Sequence, residues 1–435
     1  MMIEDIWYII GYLDNLFWYM GFLIICFIGL YFTIYSKGLQ FRILYNIRTN
    51  IKRLFDKETN RCSDGIHPLK IYFTSVGGMI GCGNVVGVGS AVFIGGPGSI
   101  LWIWISCFLG MLLKYSETYL GVKYREKKNN DYSGGSMYYL QVAFQNKFWA
   151  YLSAVLLCIY GVEIYQFVVL VDRIETTFEI NRNLVIFTLL VTILYSALGG
   201  VKRVANLCSS IMPVFLIVYI TISVLILIDH INILPRLISL IFESALSGTA
   251  AIGGFVGSSI ILTAKTGIAK SVYSGDICVG FDSVVQSQTQ VTNPKQQAEL
   301  AVYSLFTDSF ICFITTMVIL TSGLWHTSND MPQSDVMATI FKSYIPFSEY
   351  FMTAVLFFAG FTTIISYFAV GMKSASFLNS KYGSKIFFIY AALIFILFSN
   401  SSQEKVMLLM GLCSGLLLII NAAGILRLRK EIDLS

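Results

Sequence analysis

The sequence predicts an all-α integral membrane protein of eleven transmembrane helices. Three observations carry that expectation: an apolar composition, a ladder of apolar runs each long enough to cross a bilayer, and two glycine-rich interruptions at corresponding places in the ladder. Hydrophobic residues make up 56% of the 435, charged residues 13%, and the mean hydropathy is +0.71, outside the ordinary range of soluble chains. A chain in lipid must close its backbone hydrogen bonds internally, and runs of about 18 to 25 residues suit helices, not the roughly ten-residue alternating strands of a barrel.

The apolar stretches cover residues 16–36, 71–95, 100–122, 148–171, 184–198, 205–228, 237–262, 298–323, 350–372, 386–400 and 406–426. Basic residues fall in alternate loops: from Lys37 to Lys70, from Lys123 to Lys147, at Lys202 and Arg203, at Lys265, Lys270 and Lys295, at Lys373, Lys381 and Lys385, and from Arg427 to Lys430. The other side keeps Arg173, Arg182, Arg236, Lys342 and Lys405. Cytoplasmic loops retain Lys and Arg, so this pattern predicts a multi-pass protein of the cell (inner) membrane with its N-terminus outside and its C-terminus cytoplasmic. The net charge of +5 is then a topology signal and no sign of nucleic-acid affinity.

The opening MMIEDIWYII is acidic and has no basic n-region or small-residue cleavage site, so the first run reads as a retained span and not a signal peptide. After it, Leu39, Phe41, Ile43, Leu44, Ile47 and Ile51 interleave with bases; this reads equally as an amphipathic helix on the membrane surface or as a solvated linker. Nine cysteines are scattered singly, and the three histidines, His67, His230 and His326, lie far apart. The cysteines read as small packing residues, and no zinc site is visible.

The second stretch carries GGMIGCGNVVGVG at 77–89 and the seventh carries SGTAAIGGFVGSS at 247–259, with four ordinary stretches between. Glycine inside a helix is unfavourable by roughly 1 kcal/mol against alanine. Placed as the first members of two five-helix sets, the two segments predict a 5+5 inverted repeat with broken helices: residues 1–70 form an extra N-terminal helix and basic segment, 71–232 the first repeat, 233–428 the second, and 429–435 a tail. A break at mid-depth frees backbone groups that lipid cannot satisfy and that can bind ions or a solute. The bland alternative is close packing through small-xxx-small pairs such as Gly83 and Gly87. A dinucleotide fingerprint is excluded by the final glycine spacing and the lack of a preceding strand.

The stretch GCGNVVGVGSAVFIGGPGSILWIWISCFLGMLLKYSETYLGVKYREK, then GGSMYYL at 134–140, GGVKRVA at 199–205, GGFVGS at 253–258, Thr307-Asp308 and FTTIISY at 361–367, resembles in the same order the alanine or glycine:cation symporter family. The resemblance implies a leucine-transporter-like fold with one extra N-terminal helix, carrying a small neutral amino acid inward with sodium or protons and no other cofactor. It places the substrate pocket at Gly81, Gly83, Asn84, Gln166, Phe255, Thr363, Ile364 and Tyr367, and the cation site at Ile80, Gly83, Thr362 and Thr363. Oxygen ligands of this kind are hard and suit sodium; the adjacent threonines also read as helix residues bonded to their own backbone. The chain departs from the family at Cys82, where a hydroxyl is usual, at Tyr367, where a tryptophan is usual, and along KSVYSGDICVGFDS at 270–283, where Asp276 stands in for a glutamate.

Ionisable residues inside apolar runs are costly and need a reason. Glu117 and Asp308 read as structural partners, and Lys114 lies within the third stretch. Glu163 precedes Gln166 by three residues, on roughly the same face of the fourth helix. It could receive a substrate ammonium or carry a proton; a carboxylate bonded to a neighbouring helix is the alternative. The sequence has no GxxxxGK[ST], HExxH or GxSxG motif, which excludes an ATP-driven pump and an intramembrane hydrolase of those types. What remains is a symporter using an ion gradient, or a non-transporting amino-acid sensor or passive channel with the same cavity. The expected partners are the amino acid, the cation and the bilayer; nothing in the sequence sets an oligomeric state.

Overall fold

The computed structural model describes residues 2–55, 64–128, 131–247, 260–326 and 333–435. In chain order its helices are α1 (Met2–Tyr35), α2 (Leu39–Tyr45), α3 (Ile47–Phe55), α4 (Pro68–Met79), α5 (Val88–Gly95), α6 (Ser99–Lys123), α7 (Ser136–Phe144), α8 (Lys147–Tyr160), α9 (Ile164–Phe178) and α10 (Arg182–Ala197). There follow α11 (Gly200–Asp229), α12 (Leu234–Ser247), α13 (Ile260–Gly275), α14 (Phe281–Gln286), α15 (Pro294–Ser322), α16 (Gln333–Lys342), α17 (Ser348–Leu378), α18 (Gly383–Phe398) and α19 (Gln403–Arg427). A two-stranded antiparallel hairpin, β1 (Glu126–Lys128) with β2 (Asp131–Ser133), pairs Glu126 with Ser133. It folds the basic loop after α6, where the sequence predicts no strand.

Among the described residues, seven helical segments are long and apolar enough to cross a membrane: Trp7–Tyr35, Ser99–Lys123, Lys147–Phe178, Gly200–Asp229, Pro294–Ser322, Ser348–Leu378 and Gln403–Arg427. The pair α4 and α5, bent by 51° across a short break, makes an eighth. The apolar helices α10 and α18 have 16 residues each, about 24 Å at 1.5 Å per residue, less than the roughly 30 Å hydrocarbon core. The seventh apolar stretch begins as α12 and resumes as α13; residues 248–259 between them, which hold the second glycine-rich segment, lie outside the described residues.

Burial is inside-out relative to a water-soluble protein. Phe187, Tyr195, Ile217, Ile389, Leu393 and Leu397 on α10, α11 and α18 are exposed, while Lys114, Glu117, Asp276, Asp282 and Asp308 are all buried. That is the distribution a bilayer selects, with apolar side chains facing lipid and charge kept among protein groups. α6 packs along α15 and α13, and α17 is surrounded by α4, α8, α9 and α11. α1 lies outside this core against α19 and α6. Of the two readings for the basic segment, α2 is seated on protein: Leu39 and Ile43 are buried, and the Tyr303 hydroxyl donates to the Ile43 carbonyl at 2.6 Å. The eight described cysteines are free.

Candidate functional site

The first glycine-rich segment breaks its helix. α4 winds to Met79, Ile80 is extended (φ −82°, ψ 91°), and the chain resumes through one wide turn, Gly83–Gly87, before α5. Wide i→i+5 turns of this kind concentrate at functional sites. The freed backbone groups have specific partners. Asn84 Oδ1 accepts the Gly81 N–H at 3.1 Å, Gln166 Oε1 on α9 accepts the Cys82 N–H at 2.9 Å, and the Thr363 hydroxyl on α17 donates to the Gly77 carbonyl at 3.1 Å. The Asn84 amide in turn donates to Asp308 Oδ1 on α15 at 2.6 Å.

Two glycines are dictated by close approach. A Cβ on Gly81 would stand 2.7 Å from Thr363 Oγ1 and 2.8 Å from Gln166 Nε2. A Cβ on Gly78 would stand 2.1 Å from the Phe281 ring of α14. The break is therefore in close contact with α9, α17 and α14, and a Cβ at either glycine would have to displace a neighbouring side chain.

Beside the break lies a small cavity, with room for about one water molecule. α4 and the wide turn contribute Gly78, Met79, Gly83 and Asn84; α9 and its leading residue contribute Gln166 and Glu163; α13 contributes Tyr273 and Ser274; α17 contributes Thr363 and Tyr367. Glu163 is 1% exposed and accepts the Tyr273 hydroxyl at 3.3 Å. It does not sit within a continuous helix as its spacing from Gln166 suggests. The fourth span is interrupted at Gly161–Glu163, and Glu163 takes the left-handed conformation (φ 51°, ψ 52°) just before α9. Gly161 lies so close to α17 that a Cβ there would stand 2.9 Å from the Tyr367 carbonyl. The Tyr367 hydroxyl donates to Asp276 at 3.0 Å; its ring stacks on Phe281 with centroids 4.1 Å apart and meets Tyr160 edge-on at 5.2 Å.

The residues expected in a site separate into groups. Gly83, Asn84, Gln166, Thr363, Tyr367 and Glu163 line one cavity, and Gly81 abuts Thr363 and Gln166. Ile80 and Ile364 are fully buried and do not line it. The Thr362 hydroxyl is bonded to the Phe358 and Ala359 carbonyls at 2.9 Å each and faces the Met212 sulfur at 3.4 Å. Phe255 lies outside the described residues.

Residues 3–433 match the model of the sodium:alanine symporter family. The chain belongs to that family. It is 25% identical over 402 residues to the sodium/alanine symporter AgcS of Methanococcus maripaludis, covering 90% of this chain and 88% of that one. It is 30% identical over 380 residues to the uncharacterized transporter YflA of Bacillus subtilis, covering 85% of this chain and 79% of the relative. The fold is similar to the crystal structure of MhsT in complex with L-phenylalanine, with a TM-score of 0.61 at 14% identity, covering 84% of this chain and 89% of that one. As a member of the sodium:alanine symporter family, the protein is a cation-coupled amino-acid transporter and not an enzyme.

The sequence did not single out Gly78, Met79, Tyr273 and Ser274 of this family member as cavity residues. Tyr273 and Ser274 fall in the KSVYSGD stretch where the chain departs from its family, and that departure was the available signal. For Met79 only its position between glycines hinted at a role.

Proposed function

We propose that the protein is a secondary active symporter that carries a small neutral amino acid, alanine or glycine, into the cell with sodium, by alternating access around the glycine-rich breaks. The observation that carries this reading is the meeting of the Gly81–Gly87 break with Gln166 and Thr363 at the wall of a buried polar cavity. Eleven spans in two inverted five-helix repeats, with the N-terminus outside, complete the architecture; the breaks then face each other across the pseudo-symmetry axis.

In this reading the substrate carboxylate meets N–H groups of the wide turn, where the positive end of α5 favours an anion. Its ammonium meets Glu163, with Gln166 and Asn84 holding the break in shape. Sodium is held by carbonyls near Ile80 and Gly83 and by the hydroxyls of Thr362 and Thr363, whose oxygens keep their lone pairs for the ion while each hydroxyl goes on donating its proton to a carbonyl. Substrate and sodium stabilise the same closed state, so each raises the affinity of the other by the same factor.

Uptake of radiolabelled alanine into proteoliposomes, with and without an inward sodium gradient, tests the proposal. Accumulation above equilibrium only with the gradient is the expected result. Binding without accumulation would make the protein a sensor, and equilibration without concentration would make it a channel.

A further inference from the structure

The cavity is joined to a second buried cluster of charge. Lys114 and Glu117 stand one turn apart on α6, Asp276 lies in the turn after α13, and Asp282 is in the first turn of α14; all four are fully buried. Lys114 Nζ donates to the carbonyls of Gly275 at 2.8 Å and Asp276 at 2.9 Å, and lies 3.3 Å from Asp276 Oδ2 and 3.1 Å from Asp282 Oδ2. Asp276 is well supplied, because the Tyr367 hydroxyl reaches Oδ1 at 3.0 Å and the Asp282 N–H reaches Oδ2 at 3.1 Å.

Glu117 is not. The Ser283 N–H reaches its Oε1 at 3.4 Å, and Oε2 has no hydrogen-bond partner. Among the described residues Lys114 is the one basic side chain that pairs with these carboxylates. One ammonium against three carboxylates leaves negative charge in excess, and buried charge persists only when compensated. The groups facing Glu117 are Lys114 on its own helix, Asp276 and Cys278 from the turn after α13, Asp282 from α14, and Tyr139 from α7. The Tyr139 hydroxyl is itself buried with no hydrogen-bond partner.

We propose that Glu117 Oε2 is the seat of a monovalent cation, a proton bound and released in the transport cycle, separate from the sodium held at Thr362 and Thr363. A proton needs one free lone pair, which Oε2 offers. Sodium needs several converging oxygens, and Lys114 already occupies those of Gly275, Asp276 and Asp282. The link to the cavity is the Tyr367–Asp276 bond. A substrate that displaces Tyr367 takes a hydrogen bond from the Asp276 carboxylate beside Lys114, which changes how strongly Asp276 competes for that ammonium and so the proton affinity of Glu117. The inference rests on the symport reading above.

The test uses the full chain in proteoliposomes, as wild type, Glu117→Gln and Glu117→Asp. It measures alanine exchange, which needs no net cation movement, beside net uptake driven by a proton gradient or by a sodium gradient. The expected result is proton-driven uptake in the wild type, a loss of that uptake in Glu117→Gln about tenfold larger than any loss of exchange, and a displaced pH profile in Glu117→Asp. The proposal is overturned if the wild type ignores the proton gradient, if Glu117→Gln responds like the wild type, or if Glu117→Gln loses exchange and uptake by the same factor, as a structural role would require. A changed sodium dependence with an unchanged pH profile overturns the proton and assigns the seat to sodium. Absence of exchange in the wild type itself refutes the symport reading, independently of the variants.

Discussion

Asn84 and Asp308 meet at 2.6 Å across the gap between the broken helix and α15. The same asparagine caps the break through the Gly81 N–H at 3.1 Å, so one amide side chain ties the shape of the first break to a buried carboxylate. Replacing Asn84 with alanine leaves both the N–H and the carboxylate short of a partner. A buried polar group without its partner costs about 1–3 kcal/mol, more where it is charged. Asn84→Ala is expected to lower thermal stability in detergent and abolish uptake, while Asp308→Asn retains most of the stability; a thermal-shift comparison of the two variants checks this.

Glycine 78 and Phe281 provide a second test, because the ring fills the volume where a Cβ would be. Gly78→Ala should reduce uptake severely, and adding Phe281→Ala should recover part of it. Overpacking of this kind costs typically 1–3 kcal/mol. A double-mutant cycle on transport rate and stability would show coupling between the two positions; strictly additive effects would count against the contact.

Glu163 accepts the Tyr273 hydroxyl at 3.3 Å at the cavity wall. If it holds the substrate ammonium, Glu163→Gln removes a charge-assisted bond, of roughly 1.5–3 kcal/mol. Alanine affinity measured by calorimetry should then fall by about tenfold or more. An unaltered affinity would leave Glu163 a partner of Tyr273 alone.

Tyr367→Phe removes one hydrogen bond to Asp276 and leaves the ring stack on Phe281 intact. The expected outcome is a protein destabilised by about 1–3 kcal/mol, because buried Asp276 Oδ1 loses its hydroxyl donor, with altered pH dependence of uptake. Tyr367→Ala, which loses the stack as well, should be less stable, and the pair of variants separates the hydroxyl from the ring.

Outside the membrane spans, Glu431 is held below its ordinary value of 4.5 by hydrogen bonds from the Lys123 ammonium at 2.8 Å and from the Tyr124 hydroxyl, partly offset by burial. A depressed carboxyl contributes stability above its unfolded pKa and loses it as pH falls through the folded one. Docking of residues 429–435 on α6 should therefore be intact at neutral pH and weaken below pH 4.5. Because the pair is exposed, the effect is small. Limited proteolysis of this segment at stepped pH checks it, and Glu431→Gln should reduce the acid dependence, leaving the part carried by Asp433 and its pairing with Lys295.

The apolar ladder and the first break were legible because both are carried by local signals, hydropathy over a long window and a density of glycines that no ordinary helix tolerates. The left-handed residue at Glu163 was not. The stretch YGVEIYQF reads as unbroken helix, and the close approach of Gly161 to α17 where it stops joins residues far apart in the chain. Lys114 was visible as a charge inside an apolar run, but its partners Asp276 and Asp282 lie more than 160 positions away, in a turn with positive φ at Asp276, Cys278 and Gly280. The stretch stood out as a departure from the family, but two of those three are not glycine, so its left-handed turns at Asp276 and Cys278 carried no glycine signal. Thr362 and Thr363 illustrate a finer limit: they are adjacent in sequence, yet one hydroxyl crosses to Gly77 and the other stays within its own helix and against Met212.

The seating of the Phe281 ring where position 78 lacks a side chain also bears on speed. A gate made of one swinging ring could flicker in picoseconds to nanoseconds, but here the ring is packed between the main chain at Gly78 and the Tyr367 face. A route past it on the proposed reading would draw α14 away from α4 as a body, a movement of microseconds to milliseconds. On the proposed transport reading, the parting of whole segments sets the pace on that flank, and a cross-link between α4 and α14 is expected to stop uptake.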